Sequence, residues 1–232
     1  VAWAQKNNKV WAAPLLTGSS SVHGSLVCAI RVADRLGHDR PHWRKARERL
    51  ARVLRAHPEV FVNTDLPEKP GRHSMDWYYP VLGGAVRGDA GRARLLDPAL
   101  SAAFVEEGVG CRCVKDKPWY TVAETSELAL ALHAVGLVGR AKQLLAWTRR
   151  HRTENGAYWT GATHPAAEIF PEGEQTTWTA AAVLIGHDAV LERSGTSDFF
   201  TSLAGVDLDA RARHELPQRP VGSERELQSA AE

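Results

Sequence analysis

The sequence predicts an all-α fold, an array of helical hairpins of the α/α-toroid kind forming a partial or complete ring, and three observations predict it. Segments with apolar residues at helical spacing alternate between small, apolar helices and helices charged on one side. Four loops rich in Trp, Ser, Thr and carboxylates run straight into such segments: Leu16-Thr17-Gly18-Ser19-Ser20-Ser21, Ser74-Met75-Asp76-Trp77-Tyr78-Tyr79-Pro80, Pro118-Trp119-Tyr120-Thr121-Val122-Ala123-Glu124 and Glu172-Gly173-Glu174-Gln175-Thr176-Thr177-Trp178. They recur about every fifty residues, the spacing of a hairpin array. Helices standing side by side gather these polar N-terminal ends at one mouth, the expected place for chemistry.

Ser20 to Leu36 sets Val22, Leu26, Ala29, Ile30, Ala33 and Leu36 on one stripe, with Gly37 as its stop. Pro41 to His57 is its partner, with Ala46, Leu50, Val53 and Leu54 apolar and Arg44, Lys45, Arg47, Arg49 and Arg52 outward. The loop Asn63 to Arg72 leads to a short helix over Trp77 to Val86, where Gly83 and Gly84 permit a kink or the close approach of a neighbouring backbone. Helix is expected again over Ala90 to Glu106, then a compact turn, Gly108 to Val114, with room for a short strand. Thr121 to Val135 has the clearest period, and Val138 to Arg152 pairs with it through Ala141, Leu144, Leu145 and Thr148. Thr176 to Leu191 closes the array. Residues 1–195 therefore read as one domain. Residues 196–232 read as a mostly disordered tail, with a weak turn over Phe199 to Leu203 and a charged, Pro-broken end from Leu208. Hairpins of about fifty residues need roughly three hundred to close a ring, so the domain is expected to be the C-terminal part of a larger one.

Hydrophobic residues make up 44% and charged residues 24%, as in a soluble globular protein. The net charge of +2, from 29 basic and 27 acidic residues, selects neither nucleic acid nor an anionic membrane. No apolar run approaches the roughly twenty residues of a membrane span, so no integral membrane segment is expected. Val1 is followed by a polar turn rather than a signal peptide, and a processed or truncated start is expected. Cys28, Cys111 and Cys113 form no even disulfide framework, which makes a cytoplasmic location the default.

Four segments carry a family resemblance: Ser74-Met75-Asp76-Trp77-Tyr78-Tyr79-Pro80-Val81-Leu82-Gly83-Gly84, Ala123 to Leu132, Gly156-Ala157-Tyr158-Trp159-Thr160-Gly161, and Glu174 to Val183. Over about residues 3 to 192 the chain resembles actinobacterial proteins labelled prenyltransferases, α/α-toroid proteins related in shape to terpenoid cyclases and six-hairpin glycosidases. The resemblance implies a prenyltransferase-like or terpenoid cyclase-like enzyme, and an N-terminal helical region preceding the part seen here.

The candidate catalytic groups are Asp76, Glu124 and Glu174. Asp76 sits beside Trp77, Tyr78 and Tyr79, and a carboxylate among aromatic faces is desolvated enough to act as a general acid or to offset a cationic transition state; its plainer reading is a helix cap, a role open also to Ser74. Glu124 lies in a capping box, Thr121-Val122-Ala123-Glu124, and Glu127 follows one turn later. Glu174 and Glu172 stand where a helix dipole favours acids regardless of function. The candidate substrate-binding residues are Glu127 with Trp77, Tyr78, Trp119, Tyr120, Trp159 and Trp178. Eight Trp is a high count, and their loop-end placement favours stacking surfaces. Only His73, beside Ser74 and Asp76, is placed to shuttle a proton. Cys111, Cys113 and His133 do not match a zinc spacing and read as small buried thiols and an unrelated histidine; no metal ligand set is assigned and no cofactor is identified.

The expected partner is a small-molecule substrate, an isoprenoid or a saccharide. Prenyl chemistry wants aromatic walls together with an aspartate-rich signature or a strong acid, and no Asp-Asp pair occurs. A six-hairpin glycosidase-like enzyme wants aromatic platforms and two carboxylates, which Asp76 and Glu124 would supply. The third alternative is a binding module for a lipid-linked sugar or a protein.

Overall fold

The computed structural model describes residues 5–6, 9–10, 14–61 and 71–204. Strands β1 (Gln5–Lys6) and β2 (Lys9–Val10) pair antiparallel at the start. Helices α1 (Leu16–Arg35) and α2 (Pro41–Ala56) form a packed hairpin, Pro41 opening α2 where a missing N–H costs nothing. A 3₁₀ turn over Pro58–Phe61 follows, and then α3 (Met75–Leu82), α4 (Gly88–Leu95) and α5 (Pro98–Phe104). The stretch expected as one helix over Ala90 to Glu106 is thus two helices and a strand. Asp97 separates them, its side chain accepting from the amides of Ala99 and Leu100 at 2.8 and 3.2 Å.

The all-α expectation is corrected here. Strands β3 (Val105–Glu106), β4 (Gly110–Arg112), β5 (Trp119–Thr121) and β6 (Gly161–Thr163) form an antiparallel sheet in that order, with Cys111 opposite Thr121 and Tyr120 opposite Ala162. The described residues are therefore not a purely helical toroid. The sheet is bound to the following helix, α6 (Val122–Ala134): the Cys111 amide donates to Thr125 Oγ1 at 2.8 Å. At Gly161 a side chain would meet the Tyr120 carbonyl oxygen at 2.3 Å, so only glycine lets these strands approach.

Helix α6 is the centre of the molecule. It packs on α3, on α7 (Val138–Thr148), on α8 (Thr177–Leu191) and on α9 (Phe199–Ala204), and it is apolar on nearly every side. The core runs from Tyr78 and Val81 on α3 through Phe104 to Leu128, Ala131, Leu144 and Val190. Helix α9 belongs to it through buried Leu203 and Ala204; the charged end from Leu208 lies outside the described residues. No helix among the described residues is long and apolar enough to cross a membrane.

Two local devices shape α3. Pro80 inside the helix has no N–H for the Asp76 carbonyl. Arg94 of α4 supplies the missing donor, its guanidinium reaching the Asp76 carbonyl at 2.8 Å and also the Trp77 carbonyl at 2.7 Å, while the Trp77 indole donates back to the Arg94 carbonyl. At the other end Gly83 lies against α1, where a Cβ would stand 2.2 Å from the Ser20 carbonyl oxygen.

Candidate active site

The N-terminal ends of α1, α3, α6 and α8 are linked in sequence by hydrogen bonds. Thr17 of α1 donates to the Asp76 carboxylate of α3 at 2.8 Å. The Ser74 amide before α3 donates to the Cys113 carbonyl beyond β4, the Val122 amide of α6 to the Thr160 carbonyl, and the Thr160 amide to the Glu174 carbonyl in the loop before α8, each bond at 3.0 Å. Just inside this rim the four helices and α9 enclose a cleft of about 360 Å³, with Ser21, Tyr79, Glu127 and Trp178 among its polar and aromatic members and Leu130 and Ile185 among its apolar walls.

Glu127 dominates the chemistry of this cleft. The Tyr78 hydroxyl donates to its Oε2 at 2.8 Å and the Tyr79 hydroxyl to its Oε1 at 3.0 Å. Burial raises its pKa to about 7, the neighbouring charge of Glu124 adds to that, and the hydrogen bonds from Tyr78, Tyr79 and Trp178 pull the other way without restoring the ordinary value. The tyrosines respond in kind: burial and the Glu127 charge raise both phenols, so they remain donors.

Glu124, one turn earlier, is 1% exposed and lines no cleft among those described. The capping box does not form as the sequence suggests. Thr121 makes no side-chain cap to the backbone; its hydroxyl donates to the Glu124 carboxylate instead. Burial raises the pKa of the nearby Cys113 thiol, with the charge of Glu124 as the next cause.

The other sequence candidates are spread over two further regions. Asp76 lines a separate cleft of about 310 Å³ with His73, Trp77 and Arg94. Trp77 and Tyr78 are core residues at 3% and 0% exposure, Trp77 stacked on Phe104 with ring centroids 6.2 Å apart. Trp119, Tyr120, Trp159 and Glu174 belong to the sheet side: Trp119 donates to the Phe170 carbonyl at 3.0 Å, Tyr120 is buried with its hydroxyl 2.6 Å from Arg112, Trp159 is anchored to the His151 carbonyl, and Glu174 accepts from Thr160 through its backbone. Trp178, 49% exposed, reaches the Glu127 cleft. The structure thus brings Glu127, Tyr78 and Trp178 together and leaves Asp76 next door. Sequence reasoning passed over Tyr79, Ser21 and Arg94. Tyr79 was named only as an aromatic neighbour of Asp76 and Ser21 only within the first helix entry, while nothing pointed to Arg94. Among the described residues no three metal-ligating side chains gather.

No family model matches the chain. Over 208 residues it is 43% identical to the MMP endo-(1,4)-3-O-methyl-alpha-D-mannosidase of Mycolicibacterium hassiacum, an alignment that takes in 90% of this chain and 55% of that protein. That relative is a glycoside hydrolase. The chain spans about half the length of the curated relative it matches. The expected likeness to prenyltransferases and terpenoid cyclases, and the transferase chemistry it implied, are corrected by this similarity to a glycosidase. The absence of any Asp-Asp pair in the sequence agrees with the correction.

Proposed function

We propose that this chain carries the general acid of a glycoside hydrolase acting on a mannose-containing, O-methylated saccharide, and that Glu127 is the acid. One observation carries the reading: a carboxyl with a pKa of about 7 opens onto a cleft while two tyrosine hydroxyls fix its orientation. Such a group is about half protonated at neutral pH, which suits proton transfer in either direction. In glycoside cleavage the proton passes to the bridging oxygen as the bond from that oxygen to the anomeric carbon breaks. Water then adds to the carbon and gives its own proton to a second carboxylate.

Asp76, which opens into the neighbouring cleft, is our choice for the second carboxylate, and it requires a substrate that spans both clefts. It stands one turn from Tyr79 on α3, and its partner Thr17 stands one turn from Ser21 on α1. Tyr79 and Ser21 both line the Glu127 cleft, so Asp76 sits beyond its rim. The relative's name supplies the substrate class, and the cleft walls suit it. A methyl ether offers carbon where an unmodified sugar offers a hydroxyl, and burying that methyl against Leu82, Leu130 and Ile185 would favour binding by roughly 0.8 kcal/mol. The half-exposed Trp178 indole offers a stacking face for the ring. The three free thiols fit a reducing cytoplasm.

The test compares two leaving groups. Glu127→Gln should lower kcat on a 3-O-methylmannose oligosaccharide by about 10²–10⁴-fold, and should leave an aryl mannoside, whose phenolate departs without a proton, within about tenfold. Equal losses on both substrates, or none on either, would remove Glu127 as the acid. Asp76→Asn should lower the rate on both substrates alike.

A further inference from the structure

Across α1 from the Glu127 cleft lies a third cavity, of about 350 Å³, bounded by α1, α2 and the turn between α3 and α4. Four guanidinium groups line it: Arg47, Arg52 and Arg55 from α2, and Arg87 from the turn. Helical spacing accounts for the gathering, because residues 47, 51 and 55 lie on one face and Arg52 follows Glu48 by one turn. Buried Ala51 stands between Arg47 and Arg55, and its small side chain leaves the space open.

The cations are poorly neutralised. Glu48 is the cavity's one carboxylate, largely exposed and 3.7 Å from Arg47. Arg55 donates to the Ala85 carbonyl at 3.1 Å, and among the described residues Arg52 and Arg87 form no ion pair. Each like-charged neighbour costs energy unless an anion offsets it. The sequence alone reads this helix face as solvated, yet here it closes a concave site with a fifth member, His23. That ring is 4% exposed and donates from Nδ1 to the Gly83 carbonyl at 2.7 Å, leaving Nε2 as the free nitrogen of the neutral form. Burial lowers the pKa of His23, and the charges of Arg47, Arg87 and Arg55 lower it further.

We propose that this cavity is a binding site for a phosphate-bearing small molecule, its oxyanion held by Arg47, Arg52, Arg55 and Arg87. Planar guanidinium groups match phosphate oxygens two at a time. The volume admits a phosphate with a modest organic group attached, at the small end of ligand pockets. This inference is independent of the glycosidase reading, for none of its residues faces Glu127.

Calorimetric titration of the full chain at low ionic strength decides it, with pyrophosphate, inorganic phosphate and a hexose phosphate as probes. One pyrophosphate should bind per chain, with affinity falling steeply as salt is added. Arg47→Gln should weaken binding by about tenfold and Arg87→Glu by more. Arg49→Gln, at an exposed position outside the cavity, should change nothing. Arg52→Glu, also exposed, guards against loss of fold in the Arg47 variant, with circular dichroism as the check. The proposal fails if pyrophosphate does not bind, or if Arg87→Glu and Arg52→Glu bind it as the wild type does. It fails equally if the chain sediments with phosphatidylglycerol vesicles while ignoring all three soluble probes.

Discussion

Replacing Glu127 with Gln should reverse part of the pH dependence of folding. The carboxyl titrates at about 7 in the folded chain against an ordinary 4.5. Between these values the folded state keeps a proton that the unfolded state has released, so stability falls as pH rises through the interval. The contribution is fully present below 4.5 and lost above about 7. At about 1.4 kcal/mol per pH unit the gap amounts to roughly 3 kcal/mol. Gln has the same shape, cannot ionise and still accepts from one tyrosine while donating to the other. Buried His151, whose pKa burial lowers from 6.5 to about 4, acts in the opposite sense: stability rises with pH between those two values, a window that overlaps that of Glu127. A wild-type profile alone therefore mixes the two. The deciding quantity is a double difference, the urea-unfolding free energy at pH 4.5 minus that at pH 8, wild type minus Glu127→Gln. Its expected value is about +3 kcal/mol. A value near zero would mean that the folded carboxyl titrates normally, and the case for Glu127 as an acid would go with it.

Tyr79→Phe removes one donor to the ionised form of Glu127 and should push its titration higher still, visible as an upward move of the carboxyl carbon-13 resonance midpoint. A midpoint that stays or falls would show that the tyrosine does not hold the carboxylate. Trp178→Ala removes a half-buried indole and should cost about 1–3 kcal/mol in urea unfolding, while weakening saccharide binding measured by calorimetry. Gly83→Ala forces a Cβ to within 2.2 Å of the Ser20 carbonyl oxygen and should cost about 1–3 kcal/mol in urea unfolding; a neutral result would mean that α1 and α3 are farther apart than described.

The long helices were legible because their burial is one-sided or complete over several turns. The expected Thr121 to Val135 and Thr176 to Leu191 differ by only a residue or so at each end from α6 and α8. Of the sheet only β4 was anticipated, inside the Gly108 to Val114 turn; the other strands were not legible, because strands of two or three residues show no alternation to read. Trp119-Tyr120-Thr121 reads as the polar start of a helix. It pairs with Gly161-Ala162-Thr163, about forty residues on, through backbone bonds that side-chain pattern does not encode. The same limit applies to the site. Glu127 stood out in the sequence only as the residue one turn beyond Glu124, whereas its chemistry depends on two tyrosines from another helix. Arg94 gave no signal at all, because its role follows from Pro80 and from the packing of α4 beside α3.

The two glutamates of α6 show how position along a helix divides the labour of similar side chains. Glu124 falls in the first turn, under the sheet, where the Thr121 hydroxyl and the Cys113 thiol surround it and water is excluded. Glu127 lies one turn deeper along the axis, yet it is the one that meets the cleft, because α3 presents two phenols toward it and α8 leaves Trp178 at the edge. Burial is the larger reason that ionising Glu127 is costly, and the neighbouring Glu124 carboxylate adds to it. The surroundings thus divide the two: Glu124 is sealed under the sheet, and Glu127 opens onto the cleft, where the proposed acid has to stand.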